Sequence, residues 1–328
     1  MTAQPLVSVV TPVYNGARYL RECIESVIEQ TYTNWEYVIV DNRSTDGTLA
    51  IAREYEARDR RIRVIAATEF VGAIDNHHRA FRAISPESRY CKVVSADDWI
   101  APECLSRMVA IAEAHPSVGI VGSYQWRGDH VQWTGIPRDK EFLTGREAVR
   151  LTLIDNVPVF GNPTSNLFRA ELVRQREPFF PHTRPHADTS ASYKYLQHWD
   201  FGFAHEVLSR ERIHEGQVSS RVRDLNMMGL AVLECMLEYG PAYMSAEEFA
   251  TLKTRAFDQY YRNLGGCVLK LKGRDFWSYH AAGLKALGYQ LSWRRVAYCA
   301  LLEMRDELQR PSIAIHKLVA AIKEAAAR

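Results

Sequence analysis

Two adjacent carboxylates, Asp97 and Asp98, directly follow the apolar residues Val93 and Val94, with only Ser-Ala between. If that apolar run is a buried strand, both carboxylates lie just beyond its end, and each resists ionisation beside the other. A divalent cation relieves this cost, and carboxylate oxygens are ligands that Mg²⁺ and Mn²⁺ accept readily. The ordinary alternative is that Asp98 caps a helix beginning near Pro102. The pair alone does not decide between a metal site and a helix cap.

Two further polar segments follow apolar runs in the same way. Asp41 comes directly after the run 37–40, and its carboxylate could accept hydrogen bonds from a nucleotide base. The segment 11–16, Thr-Pro-Val-Tyr-Asn-Gly, follows the first apolar run. Ordinary explanations exist here too, because Asn15 suits a helix N-cap and Tyr14 could serve packing alone. These residues gain meaning only if one fold brings them beside Asp97.

Strand-like and helix-like patterns alternate through residues 1–125. Buried strands are predicted at 6–10, 37–40, 63–66, 91–94 and 118–123, with helices at 17–30, 48–57, 73–84 and 102–114. This alternation predicts an α/β fold with a mostly parallel central sheet flanked by helices on both faces. Ligands bind beyond the carboxyl ends of the strands in such sheets. We therefore expect the loops after Val10, Val40 and Val94 to lie together at one edge.

The pattern changes after residue 125. Residues 126–224 are rich in prolines and aromatic side chains, with short helices predicted at 145–154 and 188–197 and a strand at 203–208. Beyond them the composition favours helices, predicted at 225–239, 246–263, 275–287, 292–309 and 312–327. The sequence thus predicts one domain over 1–224, with a regular half at 1–125 and an irregular half at 126–224. A C-terminal helical region follows over 225–328.

Composition excludes several classes of protein. The 328 residues are 47% hydrophobic and 24% charged, which is typical of a folded chain rather than a disordered one. A formal net charge of +2 is too balanced to predict nucleic acid as a partner. The six cysteines form no Cys-x-x-Cys pair, which argues against a zinc site or a dense disulfide framework. Without a signal-peptide pattern or an apolar run of about eighteen residues, we expect a cytoplasmic protein, with peripheral contact at the inner face of the membrane left open.

Four sequence blocks, in this order, resemble the large inverting glycosyltransferase family 2, which has the GT-A fold. The matching segments are 7–16 (VSVVTPVYNG), 26–32 (SVIEQTY), 35–48 (from Trp-Glu-Tyr to Asp-Gly-Thr) and 95–98 (Ser-Ala-Asp-Asp). The resemblance implies a metal-dependent enzyme that transfers a sugar from a nucleotide diphosphate donor, usually a UDP-sugar, with Mn²⁺ or Mg²⁺ as the cofactor. It also implies a carbohydrate or lipid-linked acceptor and a part in bacterial surface polysaccharide or glycoconjugate synthesis. By the same resemblance, 1–125 would be the nucleotide-sugar-binding half of the domain and 126–224 the acceptor half.

The resemblance assigns roles to individual residues of the donor site. Thr11, Pro12 and Tyr14 would line the nucleotide, Asp41 would bind the base, Asp97 would approach the ribose and diphosphate, and Asp98 would coordinate the metal. Two blocks depart from the family pattern. Asn42 and Arg43 stand within the block that usually reads Asp-Asp-Gly-Ser, and the segment 72–76 lacks the usual Ala-Arg-Asn. The base contacts are therefore expected to differ in detail from those of the family.

Inverting transfer also needs a base that takes the proton of the acceptor hydroxyl. The resemblance implies a carboxylate at the start of a short helix in the acceptor half, where Asp188 stands, with Asp200 as the second candidate. Asp188 would equally suit a helix N-cap. His214, in the segment 212–219, resembles the family's closing histidine and would ligate the metal or contact the diphosphate.

Two other functions compete with this interpretation. A nucleotidyltransferase can share the sheet and the metal-binding carboxylate, but it should carry a Gly-rich, basic phosphate loop near the N-terminus, where this chain has Tyr14-Asn15-Gly16. A non-catalytic sugar- or partner-binding module on the same fold is the second alternative. Such a module would keep only a decayed catalytic site, and the presence of all four candidate carboxylates, Asp41, Asp97, Asp98 and Asp188, argues against it.

Two clusters of basic and aromatic residues mark the C-terminal helical region. Their members are Lys270, Lys272, Arg274 and Trp277 in the first, and Trp293, Arg294, Arg295 and Tyr298 in the second. On amphipathic helices such residues could rest on an anionic membrane near a lipid-linked acceptor. A helical cap or a homodimer interface with a solvated basic face explains them equally well.

Overall fold

The computed structural model describes residues 4–175, 178–182, 184, 186–214, 222 and 224–308 of the chain. The chain divides into two units, Met1–Gln217 and Val218–Arg328, which we name the sheet unit and the helical unit. Their boundary lies within 215–221, outside the described residues, and the predicted domain boundary after residue 224 stays a prediction. The helix predicted at 312–327 also lies outside the described residues.

In the sheet unit, the described residues form one sheet of ten strands. The strands are β1 (Val7–Val13), β2 (Trp35–Asp41), β3 (Ile62–Ala66), β4 (Tyr90–Val93), β5 (Trp99–Ile100), β6 (Val118–Arg127), β7 (His130–Gln132), β8 (Phe142–Leu143), β9 (Asn166–Arg169) and β10 (Asp200–Glu211). Their spatial order is β3-β2-β1-β4-β9-β6-β10-β5, with β7 paired to β6 and β8 to β10.

The four N-terminal strands of this order, β3, β2, β1 and β4, are mutually parallel, and β6 runs parallel to β10. The predicted mostly parallel α/β sheet is therefore confirmed. Strand β9 was not predicted; it lies antiparallel between β4 and β6 and joins the two halves of the sheet. Its four residues, Asn-Leu-Phe-Arg, are too few to show a period, so only the tertiary pairing reveals the strand.

Helices of the sheet unit lie at the predicted places, except the short helix at 170–173, which was not predicted. They are α1 (Leu20–Ile28), α2 (Thr48–Arg58), α3 (Ala73–Arg82), α4 (Cys104–Ala114), α5 (Gly145–Leu153), α6 (Ala170–Val173) and α7 (Ala187–Tyr195). The capping box at the start of α5 forms, because Thr144 Oγ1 accepts a hydrogen bond from Glu147 N while the Glu147 side chain accepts one from Thr144 N.

The register of the parallel strands determines where the polar loops meet. Val13 of β1 lies beside Asp41 of β2, and Val10 of β1 lies beside Val93 of β4. The middle of each strand is fully buried, as at Val9 and Ile39. The loops that follow β1, β2 and β4 thus leave the sheet side by side at its carboxyl edge, as the sequence predicts.

The helical unit contains α8 (Met227–Tyr243), α9 (Ala246–Leu269), α10 (Arg274–Ala286) and α11 (Trp293–Leu308) among its described residues. A capping box between Ser245 and Glu248 begins α9. The core of the unit includes Leu233, Tyr260 and Leu264. Across the described residues of both units, no helix has the length and apolar character needed to cross a bilayer.

Candidate active site

Hydrogen bonds tie the three loops at the carboxyl edge of the sheet together. The Thr11 hydroxyl donates to Val94 O (2.7 Å), which links the end of β1 to the loop after β4. Asn42 N donates to Val13 O (2.8 Å), which links the end of β2 to that of β1. Gly16 lies so close to the loop after β4 that an added Cβ would come within 3.4 Å of Ala96 Cβ. The predicted donor-site loops therefore form one continuous surface.

Asp41 ends β2 with its side chain only 2% exposed. Its Oδ2 accepts a hydrogen bond from Ser44 N (3.1 Å), whereas Oδ1 is buried and has no hydrogen-bond partner among the described residues. A buried carboxylate oxygen without a donor is costly, because it has lost its water and gained nothing in return. Asp41 Oδ1 is thus suited to accept an N–H group from a ligand.

The predicted nucleotide-lining residues Thr11, Pro12 and Tyr14 differ in their exposure, and their roles stay predictions. Thr11 is fully buried, and its hydroxyl also lies 2.8 Å from the Tyr37 hydroxyl, so its side chain is engaged within the protein. Pro12 is half-buried within β1. Tyr14 is exposed, and its ring meets that of Phe70 edge to face, with centroids 4.8 Å apart. Phe70 has no recognisable sequence motif, and sequence reasoning missed it.

Asp98 is buried, and the protein itself satisfies both of its oxygens. Thr164 Oγ1 donates to Asp98 Oδ2 (2.8 Å), and Arg212 N donates to Oδ1 (3.2 Å). Burial, followed by the negative charge of Asp97, raises the pKa of Asp98 to about 7. The carboxylate therefore holds together the loop after β4, the segment at Thr164 and the end of β10. No oxygen of Asp98 is left free of protein contacts.

Asp97 is the more open of the two carboxylates, with 33% of its side chain exposed. Its Oδ2 lies 3.0 Å from His214 Nε2, and the His214 ring packs on Tyr19 with centroids 5.0 Å apart. The predicted proximity of His214 to the aspartate pair is thus present in the structure. Asp97 rather than Asp98 presents an accessible oxygen beside an imidazole, and the metal-ligand role predicted for Asp98 stays a prediction.

Supporting contacts around the aspartate pair were missed from the sequence. The Lys92 ammonium is fully buried and donates to Thr164 O (2.5 Å) and Asn166 O (3.2 Å), which places Thr164 under Asp98. Burial lowers the pKa of Lys92. Arg212 donates from Nε to Asp97 O (3.2 Å) and pairs with Glu22 of α1. The signal available was Lys92 itself, a charged residue inside an apolar strand.

Asp188 lies in the first turn of α7, as predicted, and is half-buried. Its Oδ1 accepts a hydrogen bond from Thr189 N (2.7 Å), and burial raises the pKa of its carboxyl group. The rival candidate Asp200 has a structural task, because its Oδ1 accepts from Gly145 N (2.9 Å) at the start of α5. The structure therefore gives Asp200 a capping role and leaves Asp188 as the candidate base.

A polar chain in the acceptor half reaches toward the aspartate pair. Trp133 Nε1 donates to Gln125 Oε1 (3.2 Å), and Gln125 Nε2 donates to Asn162 Oδ1 (3.0 Å). Asn162 Nδ2 in turn lies 3.4 Å from Glu211 Oε2 at the end of β10. Burial raises the pKa of Glu211, Arg127 opposes this, and the charge of Asp97 adds to it. Sequence reasoning missed Glu211. Its carboxyl group lies close enough to Asp97 for the charge of Asp97 to raise its pKa.

The metal-binding atoms of Asp97 and His214 would suit a divalent cation that the protein and a bound substrate hold together. Among the described residues no cluster of three or more His, Cys, Asp or Glu side chains could enclose a metal ion. Asp97 and His214 together supply one oxygen and one nitrogen donor. Mg²⁺ is commonly held by one or two carboxylates together with substrate phosphates and water, and imidazole is an acceptable ligand of Mn²⁺.

Two curated relatives from Bacillus subtilis (strain 168) share sequence with this chain. TuaG, a glycosyltransferase named for teichuronic acid biosynthesis, is 33% identical over 46% of this chain and 60% of its own length. The glycosyltransferase EpsE is 36% identical over 38% of this chain and 44% of its own length. The chain therefore spans 60% or less of these two relatives.

Two solved structures share the fold. TarS of S. aureus, in complex with UDP-GlcNAc, matches 79% of this chain and 73% of its own with a TM-score of 0.58 and 17% identity. The mannosyltransferase PcManGT of Pyrobaculum calidifontis, in complex with GDP-Man and Mn²⁺, matches 99% of this chain and 87% of its own with a TM-score of 0.57 and 19% identity. The predicted GT-A fold is confirmed by this likeness.

The family model described as "Glycosyl transferase family 2" matches residues 8–176, about half of the chain. This range includes β1, β2 and β4 with the three loops that form the carboxyl edge. By this match, the chain belongs to glycosyl transferase family 2.

Proposed function

We propose that the protein catalyses inverting transfer of a sugar from a nucleotide diphosphate donor to an acceptor hydroxyl, with a divalent cation at the diphosphate. The observation that carries the proposal is the meeting of two features at one sheet edge. Asp41 supplies a buried carboxylate oxygen without a donor, and Asp97 with His214 supplies an open carboxylate–imidazole pair. The Asp41 oxygen suits a nucleotide base, and the Asp97–His214 pair suits a diphosphate with its bound metal ion.

The base most consistent with Asp41 is one that offers a ring N–H group. Uracil has such a group at N3, and its hydrogen bond to Asp41 Oδ1 would satisfy the buried oxygen. The exposed ring of Tyr14 beside Phe70 would offer an apolar surface close to the same loop. We therefore propose a UDP-sugar as the donor, in keeping with the sugar nucleotide held by TarS.

We propose that Asp97 and His214 hold the cation, in place of the Asp98 predicted from the sequence. The two oxygens of Asp98 already accept hydrogen bonds from Thr164 and Arg212, whereas Asp97 keeps an accessible oxygen. When bound, Mn²⁺ or Mg²⁺ would neutralise charge that develops on the departing diphosphate. Asp98 would position Asp97 by fixing the loop that carries both.

Asp188 is the proposed general base. Its carboxylate would take the proton of the acceptor hydroxyl while that oxygen attacks the anomeric carbon, and the bond from that carbon to the diphosphate would break with its electrons leaving on the nucleotide. Attack from the face opposite the leaving group inverts the anomeric centre. The raised pKa of Asp188 strengthens it as a base.

The acceptor would be a carbohydrate or a lipid-linked sugar of a bacterial surface polysaccharide, as the name of the relative TuaG suggests. We assign its binding to the acceptor half, 126–224. There Trp133 joins a polar chain that reaches Glu211, so an aromatic ring and hydrogen-bonding groups lie on one path. Aromatic rings pack against the apolar faces of sugars, and polar groups fix their hydroxyls.

Calorimetric titration of UDP and CDP, each with Mn²⁺, tests the assignment of Asp41. Cytosine carries an acceptor at N3 where uracil carries a donor, so the wild-type protein should prefer UDP. Asp41→Asn should weaken UDP binding about tenfold or more, since a hydrogen bond to a charged group contributes about 1.5–3 kcal/mol. The same variant should narrow the preference for UDP over CDP, because its amide can donate to cytosine N3.

Asp59→Asn is the matched control, because the Asp59 carboxylate is already paired with Arg61. Equal affinity for UDP and CDP in the wild-type protein would contradict the role given to Asp41. The reaction itself is tested by incubation with UDP-sugars. Release of UDP supports sugar transfer, release of pyrophosphate would instead indicate a nucleotidyltransferase, and tight binding without turnover would indicate a non-catalytic module.

A further inference from the structure

The turn between α9 and α10 exposes a large apolar side chain. Leu271 is 90% exposed, and its backbone has a φ of +48°, a left-handed conformation that a leucine adopts only at a cost. Hydrogen bonds fix the turn, because Leu271 N donates to Val268 O (3.0 Å) and Lys272 Nζ donates to Asp224 O (2.9 Å). The fold thus holds this leucine out in solvent.

An aromatic contact joins this turn to the start of α11. The rings of Trp277 and Trp293 lie 5.1 Å apart, and Trp277 also packs on Phe276, whose ring lies 5.9 Å from Lys272 Nζ. Trp293 is 57% exposed. The two basic-aromatic clusters of the sequence are therefore one surface. We name it the tip patch: Lys270–Arg274, Trp277, Trp293 and Arg294.

The charges of the tip patch are mainly positive. Lys270, Arg274 and Arg294 are exposed, and the acidic residue Asp275 follows Arg274 in α10. The neighbouring Arg295 is different, because its guanidinium pairs with Asp258 (2.7 Å) and covers the Tyr261 ring. Among the described residues these three cations form no ion pair. An exposed leucine, a tryptophan and such cations form the combination that favours an interface of anionic lipid headgroups and acyl chains.

We propose that the tip patch docks the helical unit on an anionic lipid surface. Leu271 would enter the region below the headgroups, Trp293 would lie at their level, and Lys270 and Arg294 would face lipid phosphates. Charge complementarity selects this occupant over a second copy of the chain, since two copies would bring like charges together. Docking requires no step of the sugar transfer proposed above, so either proposal can fail without the other.

Flotation of the full chain with lipid vesicles tests the docking surface. We expect the wild-type protein to float with vesicles that contain phosphatidylglycerol and to stay behind with pure phosphatidylcholine. Leu271→Gly should lower the partition coefficient about tenfold, because it removes the apolar side chain that would enter the lipid. Since glycine adopts positive φ freely, the same variant should keep or raise the melting temperature, which separates docking from folding.

The charged part of the patch is tested by Lys270→Gln/Arg294→Gln. Each basic residue near an anionic surface contributes about 1 kcal/mol, so this double variant should lose binding by about tenfold or more. Two matched controls leave the patch intact. Val232→Ser removes another exposed apolar side chain of the unit, and Lys253→Gln/Arg255→Gln removes two cations from α9, roughly 20 Å along the helix from Leu271. Both should float like the wild-type protein.

Three results would overturn the proposal. The first is flotation of Leu271→Gly and the charge variant at the wild-type level. The second is loss of vesicle binding in millimolar inorganic phosphate at constant ionic strength, which would indicate a site for free anions. The third is a dimer, detected by light scattering and abolished by Leu271→Gly, in a protein that binds no vesicles.

Discussion

Each unit of this chain holds a buried polar side chain, and the hydrogen bonding of the two side chains is opposite. At the carboxyl edge of the sheet unit, Asp41 keeps a buried oxygen without a donor, and Asp98 carries a pKa raised to about 7. In the helical unit, buried His280 has both ring nitrogens engaged, Nδ1 with the Tyr260 hydroxyl (2.8 Å) and Nε2 with Leu225 O (3.0 Å). Asp41 at the sheet edge departs from the rule that buried polar groups are hydrogen-bonded, and His280 in the helical core obeys it, as expected when only the first position is built for a ligand.

Among variants of the sheet unit, the largest effect on turnover is expected from Asp188→Asn. An amide cannot take the acceptor proton, so kcat should fall by about 10²–10⁴-fold while donor affinity stays unchanged. Asp200→Asn is the matched control, because its side-chain oxygen can still accept from Gly145 N and cap α5. Steady-state UDP release with saturating acceptor measures both. Near-wild-type turnover of Asp188→Asn would remove this residue from the chemistry.

The pH dependence of turnover gives the same assignment a second test. The proposed base acts when ionised, and burial raises the pKa of Asp188. The acid limb of the kcat profile should therefore lie at a higher pH than for an ordinary aspartate, with activity lost as the pH falls through it. Asp188→Glu should shift that limb, whereas Asp200→Asn should not. A limb that stays in place in Asp188→Glu would contradict the assignment.

A smaller difference is expected between two neighbours, Asp97→Asn and Asp98→Asn. If Asp97 holds the cation, the first should weaken Mn²⁺-dependent UDP binding by about tenfold or more, and the second should leave it nearly unchanged. Asparagine fits at position 98, because its oxygen can accept from Arg212 N and its amide can donate to Thr164 Oγ1. Calorimetry with and without Mn²⁺ measures both variants. The reverse order of effects would restore the role that the sequence predicts for Asp98.

Sequence reasoning reached the sheet edge because local signals there are strong. Apolar runs, the turn after Asp41 and the pair Asp97–Asp98 each show in the chain, and the order of parallel strands brings them together. The hydrogen bonding of Asp98 lies beyond such signals. It depends on Thr164 and Arg212, which meet Asp98 across 66 and 114 residues of chain. Contacts of that separation leave no period or spacing in the sequence.

The helical unit shows the same limit. Both of its basic-aromatic clusters are visible in the sequence, yet only the contact of Trp277 with Trp293 makes them one surface. Leu271 gave no signal at all, because exposure and a left-handed backbone are properties of the folded turn. Residue types and short spacings were therefore predictable in both units, and the pairing of distant segments was not.

The smallest expected effect is a loss of stability of the helical unit when acid protonates His280. Burial lowers the pKa of His280 to about 4, below the ordinary value near 6.5 that it regains on unfolding. The unfolded chain therefore binds more protons between these values, so the helical unit should lose stability as the pH falls from about 6.5 to about 4. Hydrogen exchange of the α9 amides should accelerate over this range in the wild-type protein. His280→Gln, which keeps a donor and an acceptor but does not titrate, should be less stable at neutral pH and lack this acid-dependent loss. The same decline in both proteins would show that His280 is not its source, and the contrast between the two units would then rest on the sheet edge alone.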